Sequence, residues 1–227
     1  IKFFSNNNFF YHNRLSIIDL NDRSKQPMSD FTDKYYITFN GEIYNYKELR
    51  SELIAGGVKF KTESDTEVLL NSYIYWGENF IQRINGMFAF AIHDLQKNKY
   101  LIFRDRFGIK PLYYSVTNKQ LKFASESQAL TYLDNNIEIN SVNTYLLGMF
   151  LPGKLSFFKN VQKLLPGHFL KFENEKISLH EYYSVEDNLN ETPKELNFSK
   201  TEKILNKTIN EHLHSDVKNL NFLSSGL

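Results

Sequence analysis

The sequence predicts an α+β chain with two stacked, mainly antiparallel sheets and helices outside them. Three observations carry this expectation. Residues 87–92, 100–103, 112–114 and 121–124 are short apolar runs separated by turns, which read as strands buried on at least one face. Just before that block lie two stretches with helix-start signals and apolar residues at helical spacing. After a polar, acidic stretch at 186–197 containing Pro193, the pattern resumes as a helix, an apolar run and a Ser/Gly loop, the order that opens a nucleotide-binding α/β domain.

Taken in order, residues 9–19 have the aromatic and β-branched enrichment of one strand or two, closed by the polar cluster Asn21, Asp22, Arg23 and Ser24. The run 35–39 is a further strand, expected to break at Asn40-Gly41 and give way to a helix. Asn45, followed three residues later by Glu48, predicts a capping-box start, with Leu49 and Leu53 as the apolar face and Gly56-Gly57 as the stop. Ser64 with Glu67 opens a second helix from Asp65 to about Trp76, carrying Val68, Leu69, Ser72 and Tyr73 at helical spacing. Helices are also expected near 128–133 and 142–149, and strands at 168–172 and 177–183. Ser199 and Glu202 are expected to cap a helix with Ile204, Leu205, Ile209 and Leu213 on one face, followed by a strand over 218–223.

Composition narrows the function classes. With 227 residues, 41% hydrophobic and 15% aromatic, the chain can bury a full core. The formal charge of +1, with both signs interspersed, gives no basic stripe, so no nucleic-acid partner is expected. No apolar run approaches bilayer length and Ile1 opens no signal-peptide pattern, so no membrane partner is expected and the cytoplasm is the default location. The absence of cysteine excludes disulfides and thiolate zinc sites within these residues. His212 and His214 are two apart on a helix end and do not share a face, and no other metal spacing is readable. Both ends read as cut: the chain starts at Ile1, and an apolar run enters a Gly-containing loop at its last residues.

Two motifs invite chemistry. Asn40-Gly41 is first a turn, since both residues accept positive φ. It is also a side-chain amide beside an unobstructed glycine N–H, two donors suited to an oxyanion of acyl transfer. Arg104-Asp105-Arg106, before Phe107-Gly108 and Pro111-Leu112, could be catalytic by composition but reads as a salt-bridged structural corner.

Six stretches occur in an order and spacing that resembles the glutamine-hydrolysing asparagine synthetases. They are His12-Asn13-Arg14-Leu15-Ser16-Ile17-Ile18-Asp19, Asn40-Gly41-Glu42-Ile43-Tyr44-Asn45, Ser64-Asp65-Thr66-Glu67-Val68, residues 85–91, residues 104–114 and Phe123-Ala124-Ser125-Glu126. Residues 164–168, 215–217 and 222–227 also look like that family, so the resemblance covers nearly the whole chain. It implies a four-layer α/β/β/α sandwich of the N-terminal-nucleophile hydrolase type over 1–186, a linker at 187–198, and the first helix and strand of an ATP-dependent synthetase domain at 199–227. The family converts aspartate, ATP and glutamine to asparagine, AMP, pyrophosphate and glutamate. Its nucleophile is the thiol of an N-terminal Cys whose own α-amino group is the base. That Cys would precede Ile1, so the chain as given is expected to be inactive as a glutaminase.

The resemblance also implies roles. Arg14 would clamp the glutamine α-carboxylate and Asp65 would pair its ammonium, while a surface strand arginine and a helix-dipole carboxylate are the plainer readings of these two. The Asn40 amide and Gly41 N–H would form the oxyanion hole, Glu42 would line the amino-acid end, and Leu15, Ser16, Ile17 and Ile18 would supply backbone and packing. Phe222, Leu223, Ser224, Ser225 and Gly226 match the start of a pyrophosphate loop, with Ser225 standing at the family's first glycine. ATP with Mg2+ is thus implied for the complete enzyme and none for this piece; a homodimer is compatible with it. Three readings stay open: this family or a close amidotransferase acting on another carboxylate, such as a surface-polysaccharide sugar; a truncated product that binds glutamine without catalysis; and glutamine-dependent phosphoribosyl or hexosamine transfer, which shares the sandwich but lacks the 224–227 loop after a linker.

Overall fold

The computed structural model describes residues 1–4, 8–131, 136–189 and 197–220. Its strands are β1 (Lys2–Phe3), β2 (Phe9–Phe10), β3 (Met28–Ser29), β4 (Tyr35–Ile43), β5 (Gly86–Asp94), β6 (Lys99–Arg104), β7 (Tyr113–Thr117), β8 (Gln120–Ala124), β9 (Gln162–Lys163), β10 (His168–Glu173) and β11 (Lys176–Glu181). Its helices are α1 (Tyr46–Ala55), α2 (Asp65–Trp76), α3 (Ile139–Gly148), α4 (Glu186–Leu189) and α5 (Phe198–His212).

A six-stranded antiparallel sheet, ordered β11-β10-β6-β5-β4-β3, is the centre. One face of it buries Ile37, Phe39, Phe90 and Phe103 against Leu49 and Leu53 of α1 and Val68, Leu69 and Tyr73 of α2. The opposite face buries Tyr36, Ala89, Ala91, Ile102 and Leu170 against Phe10, Leu112, Tyr114 and Leu164 from β2, β7 and their flanks. Small Ala89 and Ala91 on the inter-sheet face and large Phe88, Phe90 and Ile92 among the neighbouring positions follow from the period of two along β5. The second sheet is β8-β7-β9, and outside it a 3-10 turn, Ser127–Leu130, packs on β7 and β8 as a thin outer layer. This is the α+β layering the sequence predicts.

Aromatic residues placed directly opposite one another bind the central strands. Phe90, Phe103, Phe169 and His180 are successive register partners across β5, β6, β10 and β11, with neighbouring ring centroids each 4.8 Å apart. Such cross-strand pairs contribute roughly 0.5–1.5 kcal/mol each beyond burial. The other face carries Tyr36, His93, Tyr100 and Phe172 in the same way, with His93 stacked on Tyr100 at 4.0 Å.

Several expectations need correction. The strand over 9–19 shrinks to Phe9–Phe10; beyond it the backbone is claimed by side chains instead of a ladder, as the site shows below. Asn40-Gly41 is not a turn: β4 runs through both residues to Ile43, paired with β5 throughout. Tight packing on β5 overrides the local turn preference. Asn45 does not cap α1; its amide donates to the Arg83 carbonyl and accepts the Asn85 N–H, fastening another loop. The Ser64 cap of α2 does form, with Ser64 accepting the Glu67 N–H, while Glu67 turns away to Lys61 and Thr62. The helix expected near 128–133 is a 3-10 turn over its described part. The linker region begins with the short helix α4, and α5 starts two residues early, capped by Asn197 accepting the Lys200 N–H. Residues 218–220 form no strand, and 221–223 lie outside the described residues.

The corner at Arg104-Asp105-Arg106 is structural, but among the described residues it is held by bonds to backbone and not by ion pairs. Arg104 donates to the carbonyls of Lys110, Leu164 and Gly108, and Asp105 accepts the N–H groups of Phe88, Phe107, Ile109 and Lys110. Charge-assisted bonds to backbone suit a buried corner, because they neutralise orphan polar groups along with the side-chain charge.

Candidate functional site

Along β4 the side chains alternate. Ile37, Phe39 and Ile43 enter the helix-side core, so Thr38, Asn40 and Glu42 share the opposite face with Tyr36. Thr38 on that face meets His12 Nδ1 at 3.2 Å, which lays the segment containing Arg14 across it.

The backbone of β4 alternates too. The outer edge is taken at Phe39 by the Gln26 side chain, whose amide accepts the Phe39 N–H at 2.6 Å and donates to its carbonyl at 3.1 Å. Two residues past Gly41 it is taken again, where Asp65 accepts the Ile43 N–H at 3.2 Å. Gly41 lies between, with its N–H on the same open edge. On the inner side its register partner Phe88 spends both N–H and carbonyl on Asp105, so β5 does not claim that N–H. Gly41 has φ of 154°, and a Cβ built there would stand 2.1 Å from the Met87 carbonyl oxygen. Only glycine fits, and its amide is left facing outward.

Asp65 sits at the N-terminus of α2 and is buried. Burial pushes its carboxyl up to about 6 against the N–H groups of Ile43 and Thr66; the nearby charge of Glu42 adds to the rise and that of Arg14 opposes it. Asp65 therefore shares one local field with both. Glu42 is also raised by burial, with His212 and Lys110 pulling it back.

Arg14 Nη2 donates to the carbonyls of Ile18 at 2.6 Å and Asp19 at 2.8 Å, curling residues 14–19 around its guanidinium. Among the described residues Nε and Nη1 meet no hydrogen-bond partner and remain as donors. Asp19 is buried and has φ of 49°. Burial opposes its ionisation, yet the Glu63 N–H and the Asn21 side chain and backbone hold its carboxyl well below the usual range.

Of the residues singled out by sequence, Asn40, Gly41 and Glu42 lie in the outer half of β4, Asp65 is bonded to its end at Ile43, and Arg14 is near enough for its charge to act on Asp65. Ser16 and Ile17 are half-buried and Ile18 is buried in the curl, while Leu15 is 86% exposed and directed away from the protein. Phe222, Leu223, Ser224, Ser225 and Gly226 lie outside the described residues. No group of His, Asp or Glu able to hold a metal occurs among the described residues. Two participants were missed from sequence. Gln26 is invisible locally because it acts 13 residues away on a strand edge. Asp216, which binds the backbone of Asp19, acts across 197 residues.

Residues 2–183 match the family model of the glutamine amidotransferase domain. The chain is 39% identical over 223 residues to asparagine synthetase [glutamine-hydrolyzing] 1 of Bacillus subtilis, covering 96% of this chain and 35% of that protein. It is 34% identical over 224 residues to asparagine synthetase [glutamine-hydrolyzing] 3 of the same organism, with 96% and 36% covered. A putative glutamine-hydrolysing asparagine synthetase of Mycobacterium tuberculosis is 32% identical over 234 residues, with 96% and 36% covered. The chain spans little more than a third of the length of these relatives. Among solved structures, the glutamine phosphoribosylpyrophosphate amidotransferase from B. subtilis superposes with a TM-score of 0.50 at 20% identity, covering 70% of this chain and 32% of that one. An allosteric regulatory enzyme of purine biosynthesis superposes at 0.53 and 20% identity, covering 71% and 32%. At such identity these two show the fold alone.

Proposed function

Because this chain belongs to the glutamine amidotransferase domain family, we propose that it forms the glutamine-handling unit of a glutamine-dependent asparagine synthetase. In this reading residues 1–186 are the glutaminase domain, 187–198 a linker and 199–227 the beginning of an ATP-binding synthetase domain. Glutamine hydrolysis would supply ammonia for the ATP-dependent amidation of aspartate, with Mg2+ accompanying ATP. A cytoplasmic location and a homodimer belong to the same proposal; the supporting fact for the first is that no described helix is long and apolar enough to cross a membrane.

The observation that supports the reading is the position of Gly41 on β4, between two residues whose N–H groups are taken on the outer edge, Phe39 by Gln26 and Ile43 by Asp65, with Asn40 preceding it in the strand. In this reading the Asn40 amide joins the Gly41 N–H. Such a pair can hold the oxyanion that forms when the glutamine amide carbonyl is attacked. Arg14 Nε and Nη1 would receive the α-carboxylate, and Asp65 would receive the α-ammonium, which favours its charged form. Glu42 would bound the same end. The chain contains no cysteine, so the thiol nucleophile the family uses is not among these 227 residues.

The test is calorimetric titration of the 227-residue chain with glutamine, glutamate and asparagine. Saturable binding of glutamine, lost in Arg14→Ala, supports the reading. Equal binding of asparagine, or none of glutamine, overturns it. Glutaminase assays should find no hydrolysis by the chain itself and hydrolysis by a form that supplies the thiol.

A further inference from the structure

The chain beyond α5 is fastened to the rim of this site at two places. Asp216 donates its backbone N–H to the Ile17 carbonyl at 3.0 Å and accepts the Asp19 N–H on its carboxylate at 2.7 Å. These reciprocal bonds grip residues 17–19 from outside, while Arg14 grips the Ile18 and Asp19 carbonyls from inside. The Asp19 carboxylate then holds the Glu63 N–H at 2.8 Å, two residues before Asp65. At the other wall, the His212 ring at the end of α5 lies on that of Tyr44 at 3.8 Å, and Tyr44 is buried two residues after Glu42.

We propose that Asp216 is a positioning residue for glutamine, holding the 14–19 curl so that Arg14 and Asp65 face one amino-acid head group. The proposal rests on the glutamine reading above and adds to it a residue from the far side of the linker. The curl has no sheet ladder of its own, since β2 ends at Phe10. Its shape is fixed by hydrogen bonds to its backbone and to the Asp19 carboxylate; Asp216 supplies two of them, its backbone N–H donating to the Ile17 carbonyl and its carboxylate accepting the Asp19 N–H, beside those from Asn21, Arg23 and Glu63. Without the two from Asp216, Arg14 would still bond its own loop and Asp19 would still reach the Glu63 N–H, but residues 17–19 would lose their outer clasp and the curl would be held less firmly relative to α2. Preorganisation of this kind reduces the ordering cost charged to a ligand. Linkage makes the relation reciprocal: glutamine binding must stabilise the docking of residues 212–216 by the factor with which docking strengthens glutamine.

The test uses the full 227-residue chain as wild type, Asp216→Ala and Asp216→Asn, with Lys218→Ala as the surface control. Asp216→Ala should weaken glutamine binding about tenfold or more, the range for losing a charged hydrogen bond. Amide exchange should quicken at 17–21 and 63–66 and not across β5 and β6. Asp216→Asn retains an acceptor oxygen and should recover most of the affinity. In the wild type, glutamine should slow exchange at 213–217. Asp216→Ala binding as tightly as wild type overturns the proposal, as does faster exchange spread evenly over the domain. A wild type that binds no glutamine removes the site itself, an outcome distinct from a wild type that binds and a variant that binds equally.

Discussion

Ile43 gives its backbone N–H to the Asp65 carboxylate at 3.2 Å, so the end of β4 and the start of α2 are joined by a buried acid two residues from Gly41. A strand edge and a helix N-terminus thereby present donors and a carboxylate to the same space. This geometry gives the substitutions at Asp65, Asn40 and Gly41 different expected signatures.

Asp65→Asn should weaken glutamine binding by roughly 10–100-fold, as loss of a charged hydrogen bond does, with turnover little changed in a form that carries the thiol. An ion pair to the ammonium is present in ground and transition states alike and so is uniform binding. Affinity should also fall as pH drops through about 6, where the buried carboxyl takes up its proton. Titrations at pH 5 and 7.5 check this; an affinity flat across that range would count against Asp65 as the partner.

Asn40→Ala should act on the other parameter. An amide that stabilises developing charge contributes to turnover, by roughly a hundredfold or more, and leaves the Michaelis constant nearly unchanged. In the proposed synthetase, ammonia-dependent synthesis should survive this change and Asp65→Asn, since added ammonia would bypass the glutamine site. Steady-state kinetics with both nitrogen donors separates the cases.

Gly41→Ala should destabilise the fold itself. The added Cβ would stand 2.1 Å from the Met87 oxygen and 2.8 Å from Phe88 Cα, both backbone atoms of the paired strand. Forcing β4 and β5 apart should cost about 2–4 kcal/mol, visible as a lower denaturation midpoint, the range of severe steric and backbone-strain substitutions.

Stability should depend on pH through two opposed groups. His93 is buried with both ring nitrogens unpartnered among the described residues, and burial lowers its pKa to about 4, with Asp94 opposing. Between about 4 and 6.5 the unfolded chain binds the extra proton, so His93 makes stability rise with pH, by on the order of 2–3 kcal/mol. Asp65 has the opposite sign. Its folded carboxyl keeps the proton up to about 6 while the unfolded one has lost it, so between about 4 and 6 it makes stability fall with pH by a similar amount. The two slopes should partly cancel in the wild type. His93→Phe should unmask a decline with rising pH and Asp65→Asn a steeper loss in acid, read from urea midpoints at pH 4.5 and 6.5. Parallel profiles in all three proteins would refute the pairing.

The local signals fixed what local physics controls. Ser64 with Glu67 announced α2, Leu49 and Leu53 announced the buried face of α1, and the apolar runs from 87 to 124 announced strands within two residues of where they lie, except that the strand expected to end at 114 runs on to Thr117. The stretches around Arg14, Asn40, Gly41, Glu42 and Asp65 stood out because their residue types carry the chemistry that the proposed glutamine site would use, and the substitutions above test those roles. Tertiary structure decided the rest. Asn40-Gly41 has turn propensity, yet β5 supplies a full ladder partner and the pair stays in the strand. Residues 11–19 have strand propensity, yet the Arg14 and Asp216 side chains take backbone groups of Ile18 and Asp19 and a curl forms. Asn45 has the chemistry of a cap and is used instead to tie residues 83 and 85. In each case a short-range preference of about 1 kcal/mol met long-range hydrogen bonds and packing worth more, and those partners are distant in the chain and unreadable from it.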